Sequence, residues 1–427
     1  MYLLNRGYYT KINDELSIDG VVFSPSQLER PKIERRDKKY NKIRLFDPQL
    51  YFPIESKPNF KKTFTKLATY PWYNPEVEEF NSKEMKITDF LKNLSNNNSI
   101  DNVTYPTSEE DMARRIQSCI EFQLDLGCSH IILPTPLICD IEDGYTEQLR
   151  WINTGIKLIN GINKPILVSV AFTKDVITQR EFDQNTLLSI ILDNLTSFTN
   201  IDGFYITFET NTENQICDEN IITAILEFSY ILGNLNNKEV FLNYVDLAGF
   251  LGLAVGCTAF ASGYYAKEKL FNFEQYNDEP KFGTPLPRLL SYTLIGDLLS
   301  ERDLTKLRNL NALHLIKNDI TKFSTALYNT LEQGQDVSML DDWKESKNNI
   351  STAQLHRSEL LAKASKNIST MNTTEKLKYT LNWLTNADFY VNQINTLLGY
   401  NKLSENFNHI GIWKKCLIKF IEKYSLL

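Results

Sequence analysis

Three acidic residues stand directly after apolar segments that have the composition of β-strands. Asp47 closes the first of these segments, Glu209 follows the second, and Asp246 follows the third. The carboxyl ends of parallel strands form the active-site edge of α/β folds, and in a closed barrel they meet at one mouth. Paired carboxylates there suit glycosyl transfer, in which one acid protonates the leaving group while the other acts as nucleophile or general base. We therefore predict catalytic roles for Asp246, Glu209 and Asp47.

Each of these carboxylates also has a purely structural interpretation. Asp246 borders the long uncharged segment 247–266, where a charge is costly unless it is paired or used. It could equally cap the helix that begins near Leu247. Glu209 could have a structural role in the loop that follows its strand. Asp47 precedes Pro48, and an Asp-Pro dipeptide commonly opens a turn. These residue types therefore suit the chemistry without being specific to it.

A phosphate site is a further expectation at the same edge. Gly249 lies near the start of the helix after Asp246, and Ser262 and Gly263 end the next predicted strand. Late loops of barrels hold phosphates through backbone amides at such positions. Close packing of a helix against a strand also favours small residues there, so both interpretations stay open.

A basic segment near the N-terminus contrasts with the acidic balance of the chain, which carries 46 Lys and Arg against 53 Asp and Glu, a net charge of −7. Residues 30–44 contain eight bases and two acids, and aromatic residues interleaved with lysines follow them. Cations that bind phosphates and rings that stack on bases are the pattern of single-stranded nucleic-acid recognition. We therefore predict nucleic-acid binding through Arg35, Arg36, Lys38 and Lys39. A solvated loop followed by core aromatics explains the same residues.

The elements that would position these side chains alternate between strand and helix. From about residue 108 to 265, apolar runs are separated by helix-like segments with short connections, the pattern of a parallel sheet covered by helices. The clearest helix, 108–126, opens with Ser108 and three acids and ends at Gly127, which are typical helix-terminus signals. Six segments have the composition of parallel strands: 43–47, 130–134, 165–172, 203–208, 240–245 and 258–262.

Eight strands would close a (β/α)8 barrel, and Val21–Phe23 or Leu294–Ile295 could supply the remaining ones. No Gly-x-Gly-x-x-Gly turn follows any of the strands, which argues against a dinucleotide-binding open sheet. The expected fold class is therefore α/β, a (β/α)8 TIM-barrel-like parallel sheet with a C-terminal all-helical region; an open doubly wound sheet is the alternative. Segment 247–266 is long enough to span a membrane, but its glycines and tyrosines favour a short buried helix followed by a strand.

Three regions follow from these patterns: a basic and aromatic N-terminal arm with the first strand (1–80), the barrel-like domain (81–300) and the C-terminal helical region (301–427). In the last region Asn372 and Glu375 form a variant capping box. Apolar residues then recur at sevens along one side of this helix: Leu377, Leu384, Val391 and Leu398. The stripe predicts packing inside a helical bundle, with docking of a protein partner or self-association as the alternative.

Composition bounds the classes of function. Hydrophobic residues make up 42% of the chain and charged residues 23%, which indicates a globular protein with a large core. The six cysteines contain no C-x₂-C pair and only four histidines occur, so we expect neither a metal centre nor a cofactor. The N-terminus lacks a secretory pattern, which makes a cytoplasmic location the default.

Two functions stay open on these grounds. The first is a barrel enzyme that acts on a glycosidic or N-glycosidic bond, for example in a nucleotide or nucleic acid, through its strand-end carboxylates. The second is a non-catalytic scaffold subunit of a nucleic-acid-associated multiprotein complex. The enzymatic hypothesis requires Glu209 and Asp246 to converge on a common rim.

Overall fold

The computed structural model describes residues 1–28, 30, 33, 42–52, 60–73, 105–106, 108–140, 142–179, 186–211, 214–278, 285–346 and 349–427. Parallel strands form its central sheet: β1 (Tyr2–Asn5), β2 (Gly20–Phe23), β3 (Ile43–Phe46), β4 (Ile131–Leu133), β5 (Leu137–Ile138), β6 (Ile166–Phe172), β7 (Gly203–Phe208), β8 (Glu239–Asn243) and β9 (Ala259–Ser262). They pair in the order β3-β2-β1-β9-β8-β7-β6-β4, with β5 also on β6.

This order is that of a nearly closed barrel. Strands β1 to β3 and β6 to β9 pair with their neighbours in the chain, β4 and β5 both pair with β6, and β1 also pairs with β9. At the remaining seam, between β3 and β4, the Ser129 amide donates to the Arg44 carbonyl at 2.8 Å. The Arg44 amide donates in turn to the Ser129 hydroxyl at 3.2 Å. The predicted α/β fold with a TIM-barrel-like parallel sheet is therefore confirmed.

All six predicted strand segments are strands, and Val21–Phe23 lies in β2. The other candidate, Leu294–Ile295, instead forms the turn between the antiparallel strands β10 (Arg288–Ser291) and β11 (Gly296–Leu299). Ile295 adopts a φ of 55° there, a left-handed turn conformation that does not continue a strand. The remaining barrel strand is β1, which the sequence pattern did not indicate.

Helices cover the outside of the barrel: α1 (Lys61–Leu67), α2 (Glu109–Asp125), α3 (Asp143–Leu158), α4 (Lys174–Ile177), α5 (Thr186–Thr196), α6 (Glu219–Phe228), α7 (Gly249–Val255) and α8 (Ala266–Lys269). Helix α2 confirms the clearest prediction, because the Ser108 side chain caps the amide of Asp111 at 3.1 Å. A π-helical turn, Ser229–Leu235, extends α6, and a 3₁₀ turn, Asp246–Ala248, precedes α7.

The barrel has its own interior, separate from the core between sheet and helices. An apolar cluster inside it contains Leu3, Val22, Leu45, Ile132, Leu167, Tyr205, Phe241, Ala259 and Ala261. Their strand neighbours, such as Leu4 and Phe260, belong to the outer core instead, as the period-two alternation of strands requires. The same alternation directs Asn5, Asp47, Thr207 and Asn243 into the lumen, towards the carboxyl end of the strands.

The C-terminal region contains α9 (Arg302–Asn309), α10 (Thr325–Glu332), α11 (Ser351–Ser369), α12 (Thr373–Leu398) and α13 (Asn408–Tyr424). The predicted capping box at Asn372 opens α12. Leu377, Leu384 and Val391 are buried, and α12 packs on α7 and α13 of the same chain. The apolar stripe therefore has its partner within the chain.

The uncharged segment 247–266 forms the 3₁₀ turn, α7 and β9, as predicted. Within the described ranges, no helix is both long enough and apolar enough to cross a bilayer.

Candidate active site

The carboxyl end of the barrel lumen is built around Asp47, which is fully buried. The Tyr51 hydroxyl donates to Asp47 Oδ2 at 2.5 Å, and the Asn243 side-chain amide donates to the same oxygen at 3.0 Å. The backbone amide of Gln49 donates to Oδ1 at 3.1 Å. Three strands separate β3 from β8 in the sheet, so the bond from Asn243 to Asp47 crosses the lumen.

Burial raises the pKa of Asp47 to about 7, and its hydrogen bonds oppose the shift only in part. The groups that donate to it, from Tyr51, Asn243 and Gln49, are all neutral. A carboxyl group whose pKa lies near neutrality is populated in both protonation states at physiological pH. This is the property that general acid–base catalysis requires.

Other polar atoms around the lumen have no hydrogen-bond partner within the described part of the chain: Asn5 Oδ1, Ser169 Oγ and Thr207 Oγ1. Their side chains are buried. The Tyr205 hydroxyl is directed at Asp47 and helps to lower the pKa of that carboxyl. Buried polar atoms are nearly always paired in folded proteins, so unpaired ones near a buried carboxyl are a feature that a functional site could explain.

Glu209 lies at the same mouth. It continues the luminal alternation of β7 after Tyr205 and Thr207, and it is 9% exposed. Its Oε2 accepts the backbone amide of Lys174 at 3.2 Å, at the start of α4. Asp47 and Glu209 are therefore the two predicted carboxylates that the structure brings to the lumen.

A short segment, Leu270–Asn272, lies across the ends of β7 and β8, and we call it the mouth strap. Bridges join Phe271 to Glu209 and Leu270 to Val245, and the Thr210 amide donates to the Phe271 carbonyl at 2.8 Å. The Phe271 ring packs at 5.2 Å from Tyr51 and at 5.9 Å from both Phe52 and Tyr244. This aromatic cluster closes the mouth above Asp47.

Asp246 occupies the opposite face of the sheet. Its Oδ1 accepts the Ser262 hydroxyl at 2.7 Å, and Ser262 alternates with the luminal Ala261. The Arg357 guanidinium of α11 also donates to Oδ1, and the Gln215 amide donates to Oδ2 at 2.9 Å. The structure therefore does not bring Asp246 into the lumen with Asp47 and Glu209, and the Arg357 ion pair favours a structural role. The required convergence of Glu209 and Asp246 is not found in the lumen, so an enzymatic site there has to use Asp47 and Glu209 instead. A catalytic role for Asp246 stays a prediction.

Arg357 links Asp246 to a second buried carboxylate. Its Nη1 donates to Asp297 Oδ1 at 2.6 Å, and Lys269 also pairs with Asp297. Burial alone would raise the pKa of Asp297, but Arg357 and Lys269 outweigh that effect and hold it well below its usual value. We call this group, Asp246, Arg357, Asp297 and Lys269, the outer ion cluster. It joins the barrel to α11.

A cavity of about 360 Å³ lies between the mouth strap and the β10–β11 hairpin. Tyr264, Tyr265, Lys269 and Arg288 line it together with Asp297. The cavity adjoins the outer ion cluster. Its two cations, Lys269 and Arg288, already interact with the carboxylate of Asp297.

The predicted phosphate residues lie in tightly packed positions. A Cβ on Gly249 would lie 2.3 Å from the Phe260 ring, and one on Gly263 would lie 2.4 Å from the Glu268 Cβ. The Glu268 carboxylate accepts the amides of Tyr264 and Tyr265 at 3.2 and 3.4 Å. Ser262 donates to Asp246. Packing explains both glycines, and phosphate binding stays a prediction.

The predicted nucleic-acid residues Arg35, Arg36, Lys38 and Lys39 lie outside the described residues. The aromatics that follow them are buried, namely Tyr51, Phe52, Phe60, Phe64, Tyr70, Trp72 and Tyr73, in line with the core interpretation. Among the described residues, no group of three or more His, Cys, Asp or Glu could hold a metal ion.

Sequence reasoning missed Tyr51, Tyr205 and Asn5, which surround Asp47, and Arg357, which pairs with Asp246. Alternation along β7 and β8 could have indicated the luminal side chains once the strand ends were known. No local pattern could have indicated Arg357, because its helix lies far along the chain from β8.

A comparison of the chain with protein-family models, with curated proteins and with solved structures found no match.

Proposed function

We propose that this protein is a barrel enzyme that acts on a glycosidic or N-glycosidic bond, with Asp47 as the proton donor. One observation carries the proposal: a buried carboxyl of raised pKa stands at the carboxyl end of the strands, among luminal polar atoms without partners in the described chain. In barrel enzymes that end is the site of catalysis.

In this proposal Asp47 is protonated when the substrate binds and gives its proton to the leaving group. Tyr51 and Asn243 hold its Oδ2 in place through their hydrogen bonds. Glu209 supplies the second carboxylate, which stabilises the positive charge that develops on the sugar and accepts a proton from the water molecule that attacks the anomeric carbon. The substrate reaches Asp47 only when the mouth strap moves, because Phe271 and Tyr51 pack over it.

The test compares the wild-type protein with Asp47→Asn on a panel of ribonucleosides and methyl glycosides, whose leaving groups depart only when they are protonated. We expect the release of free base or methanol to fall by about 100-fold or more in the variant, the usual contribution of a general acid. Asp319→Asn is the matched control, because Asp319 is also buried with a pKa raised to about 6 but hydrogen-bonds Ser291 and Thr293 instead. Equal rates for the wild type and Asp47→Asn, or no turnover of any probe, would refute the proposal.

A second candidate, the non-catalytic scaffold of a nucleic-acid-associated complex, is favoured by the closed mouth. Phe271 is fully buried, and the mouth strap is tied to β7 and β8 by backbone pairing. The scaffold hypothesis expects retention of the protein on single-stranded RNA at low salt. Charge reversal of Arg35, Arg36, Lys38 and Lys39 to Glu should then weaken retention and flatten its salt dependence. Absence of retention by the unmodified protein would exclude it.

A further inference from the structure

A groove between α11 and α12 lies outside the barrel and takes no part in the site described above. It encloses about 610 Å³, which falls within the range of ~300–1,000 Å³ that small-molecule sites occupy. Its walls combine aromatic rings with side-chain amides: Tyr292, Asn367, Tyr379, Asn382, Asn386 and Tyr390. We call it the tyrosine–asparagine groove.

The α12 wall of this groove follows helical spacing. Tyr379, Asn382, Trp383, Asn386 and Tyr390 lie at i, i+3, i+4, i+7 and i+11, positions that share one side of a helix. This stripe is distinct from the apolar stripe by which α12 packs on its neighbours. Helix α12 therefore has two different sides: one packs against neighbouring helices, and the other lines the groove.

The aromatic part of the groove is rigidly held. The Tyr292 and Trp383 rings stack with centroids 4.7 Å apart and an angle of 16° between their planes. The indole nitrogen of Trp383 donates to the Tyr292 carbonyl at 2.7 Å. Trp383 also packs edge-on against Phe250 of α7. The wall is therefore preorganised, which lowers the entropy cost of binding.

The polar part of the groove has unused hydrogen-bonding capacity. The side chains of Asn382 and Asn386 are exposed and make no hydrogen bond within the described part of the chain. The buried Tyr292 hydroxyl faces the Tyr379 hydroxyl across the groove. Asn367 donates to the Tyr379 hydroxyl at 3.4 Å. Each free amide offers both donors and an acceptor.

The groove is not built for an anion. Among its described lining residues, Lys363 is the one base and Asp319 the one acid. The Asp319 carboxyl accepts bonds from Ser291 at 2.6 Å and from the Thr293 hydroxyl at 3.0 Å, and Lys363 lies 3.9 Å from the carboxylate of Glu359. A single lysine with acids beside it does not favour a phosphate or a carboxylate, so we expect the ligand to be uncharged.

We propose that the tyrosine–asparagine groove binds a neutral carbohydrate. The C–H face of a pyranose ring is apolar and packs on aromatic rings, while its hydroxyl groups both donate and accept hydrogen bonds, as the asparagine amides do. Tyrosine and asparagine side chains are well suited to such mixed contacts. The proposal concerns a binding site alone and does not depend on catalysis in the barrel.

The test measures binding of cellohexaose, chitohexaose, maltohexaose and mannohexaose to the full chain by calorimetry, with affinity electrophoresis in gels that contain the matching polysaccharides. We expect at least one probe to bind the wild-type protein. Tyr379→Ala combined with Tyr390→Ala should weaken that binding by about tenfold or more, the loss typical of central aromatic contacts. Asn382→Ala combined with Asn386→Ala should weaken it as well, and alanine is the best helix former at all four positions.

Leu397→Ala is the matched control, because Leu397 is a large apolar residue of the same helix that is 70% exposed and does not line the groove. It should change the affinity by less than about twofold. Loss of binding in the two double variants would identify the groove as the site, because all four substituted residues lie outside the barrel. Failure of all four probes to bind, or binding that survives both double substitutions, would overturn the proposal.

Discussion

Two aspartates, Asp47 and Asp246, are fully buried on opposite faces of the same sheet, yet their surroundings differ. Asp246 accepts hydrogen bonds from the guanidinium of Arg357, which also binds Asp297. Asp47 accepts hydrogen bonds from a phenol, an amide side chain and a backbone amide, none of them charged. Asp246 is thus part of an ion pair, whereas Asp47, which has only neutral donors and a pKa that burial raises to about 7, can exchange its proton near neutral pH.

The comparison indicates two different roles for buried acids in this fold: Asp246 contributes to a structural ion pair, and Asp47 belongs to the candidate site. The outer ion cluster lies where the barrel meets α11, and its charges are matched there. The lumen holds polar atoms without partners in the described chain, an arrangement that costs stability and persists where a site needs it. Burial alone therefore does not identify a catalytic carboxylate; the charge of its neighbours does.

The largest expected effect comes from breaking the outer ion cluster. Arg357→Met leaves Asp246 and Asp297 buried without their guanidinium, and we expect a loss of about 3–5 kcal/mol in the free energy of unfolding. The loss should grow as pH rises, because the carboxylates left without a cation then ionise.

Urea unfolding measures this loss of stability, with Arg302→Ala as the control. Arg302 pairs with Glu345 but is 61% exposed, so its loss should cost less than about 1 kcal/mol. Equal losses in the two variants would contradict this view.

The second prediction concerns the pH dependence that Asp47 contributes. Burial raises its pKa to about 7 in the folded protein, against about 3.9 for an aspartate in an unfolded chain, so the folded state binds more protons between these limits. Its contribution to stability is therefore complete below the unfolded pKa and is lost as pH rises through 7. Asp47→Asn removes this slope. Relative to the variant, the wild type should lose up to about 4 kcal/mol between about pH 4 and pH 8.

Urea unfolding across that pH range checks this prediction. Glu268, whose pKa burial also raises to about 7, contributes the same slope to both proteins and cancels in the difference. Parallel pH profiles for the wild type and Asp47→Asn would show that Asp47 is ionised throughout, and the contrast with Asp246 would disappear.

Much of this comparison could be predicted from the sequence, and the missing parts have physical causes. Strands β6, β7 and β8 are covered on both faces, so their apolar runs are continuous and easily recognised. β1 contains only four residues at the start of the chain, too few to show a period. The position of Asp47 at a strand end followed from its segment. Its raised pKa did not, because Tyr51 and Asn243 reach it through the closure of the barrel.

The third prediction contrasts the packing of the two faces. Gly249→Ala forces a methyl group against the Phe260 ring, and we expect a loss of about 1–3 kcal/mol. Thr207→Val in the lumen keeps the shape of the side chain and removes a buried hydroxyl that has no partner in the described chain. We expect the free energy of unfolding of this variant to rise by about 1 kcal/mol or more. Thermal melts of Gly249→Ala and Thr207→Val measure both changes in stability. A tolerated Gly249→Ala with reduced phosphate binding would instead support the predicted phosphate site.

The smallest expected effect compares two hydroxyl donors. Tyr51→Phe removes a hydrogen bond that holds down the pKa of Asp47, so the pH at which that group ionises should rise by about one unit. Ser262→Ala removes the equivalent donor from Asp246 but leaves the Arg357 pair. Each loss should cost about 1 kcal/mol, but only Tyr51→Phe should displace the pH profile of unfolding near neutrality. The reason is that Asp47 has only neutral donors, so the loss of one of them moves its pKa. A displaced profile in Ser262→Ala would contradict this contrast, and the predicted catalytic role of Asp246 would regain support.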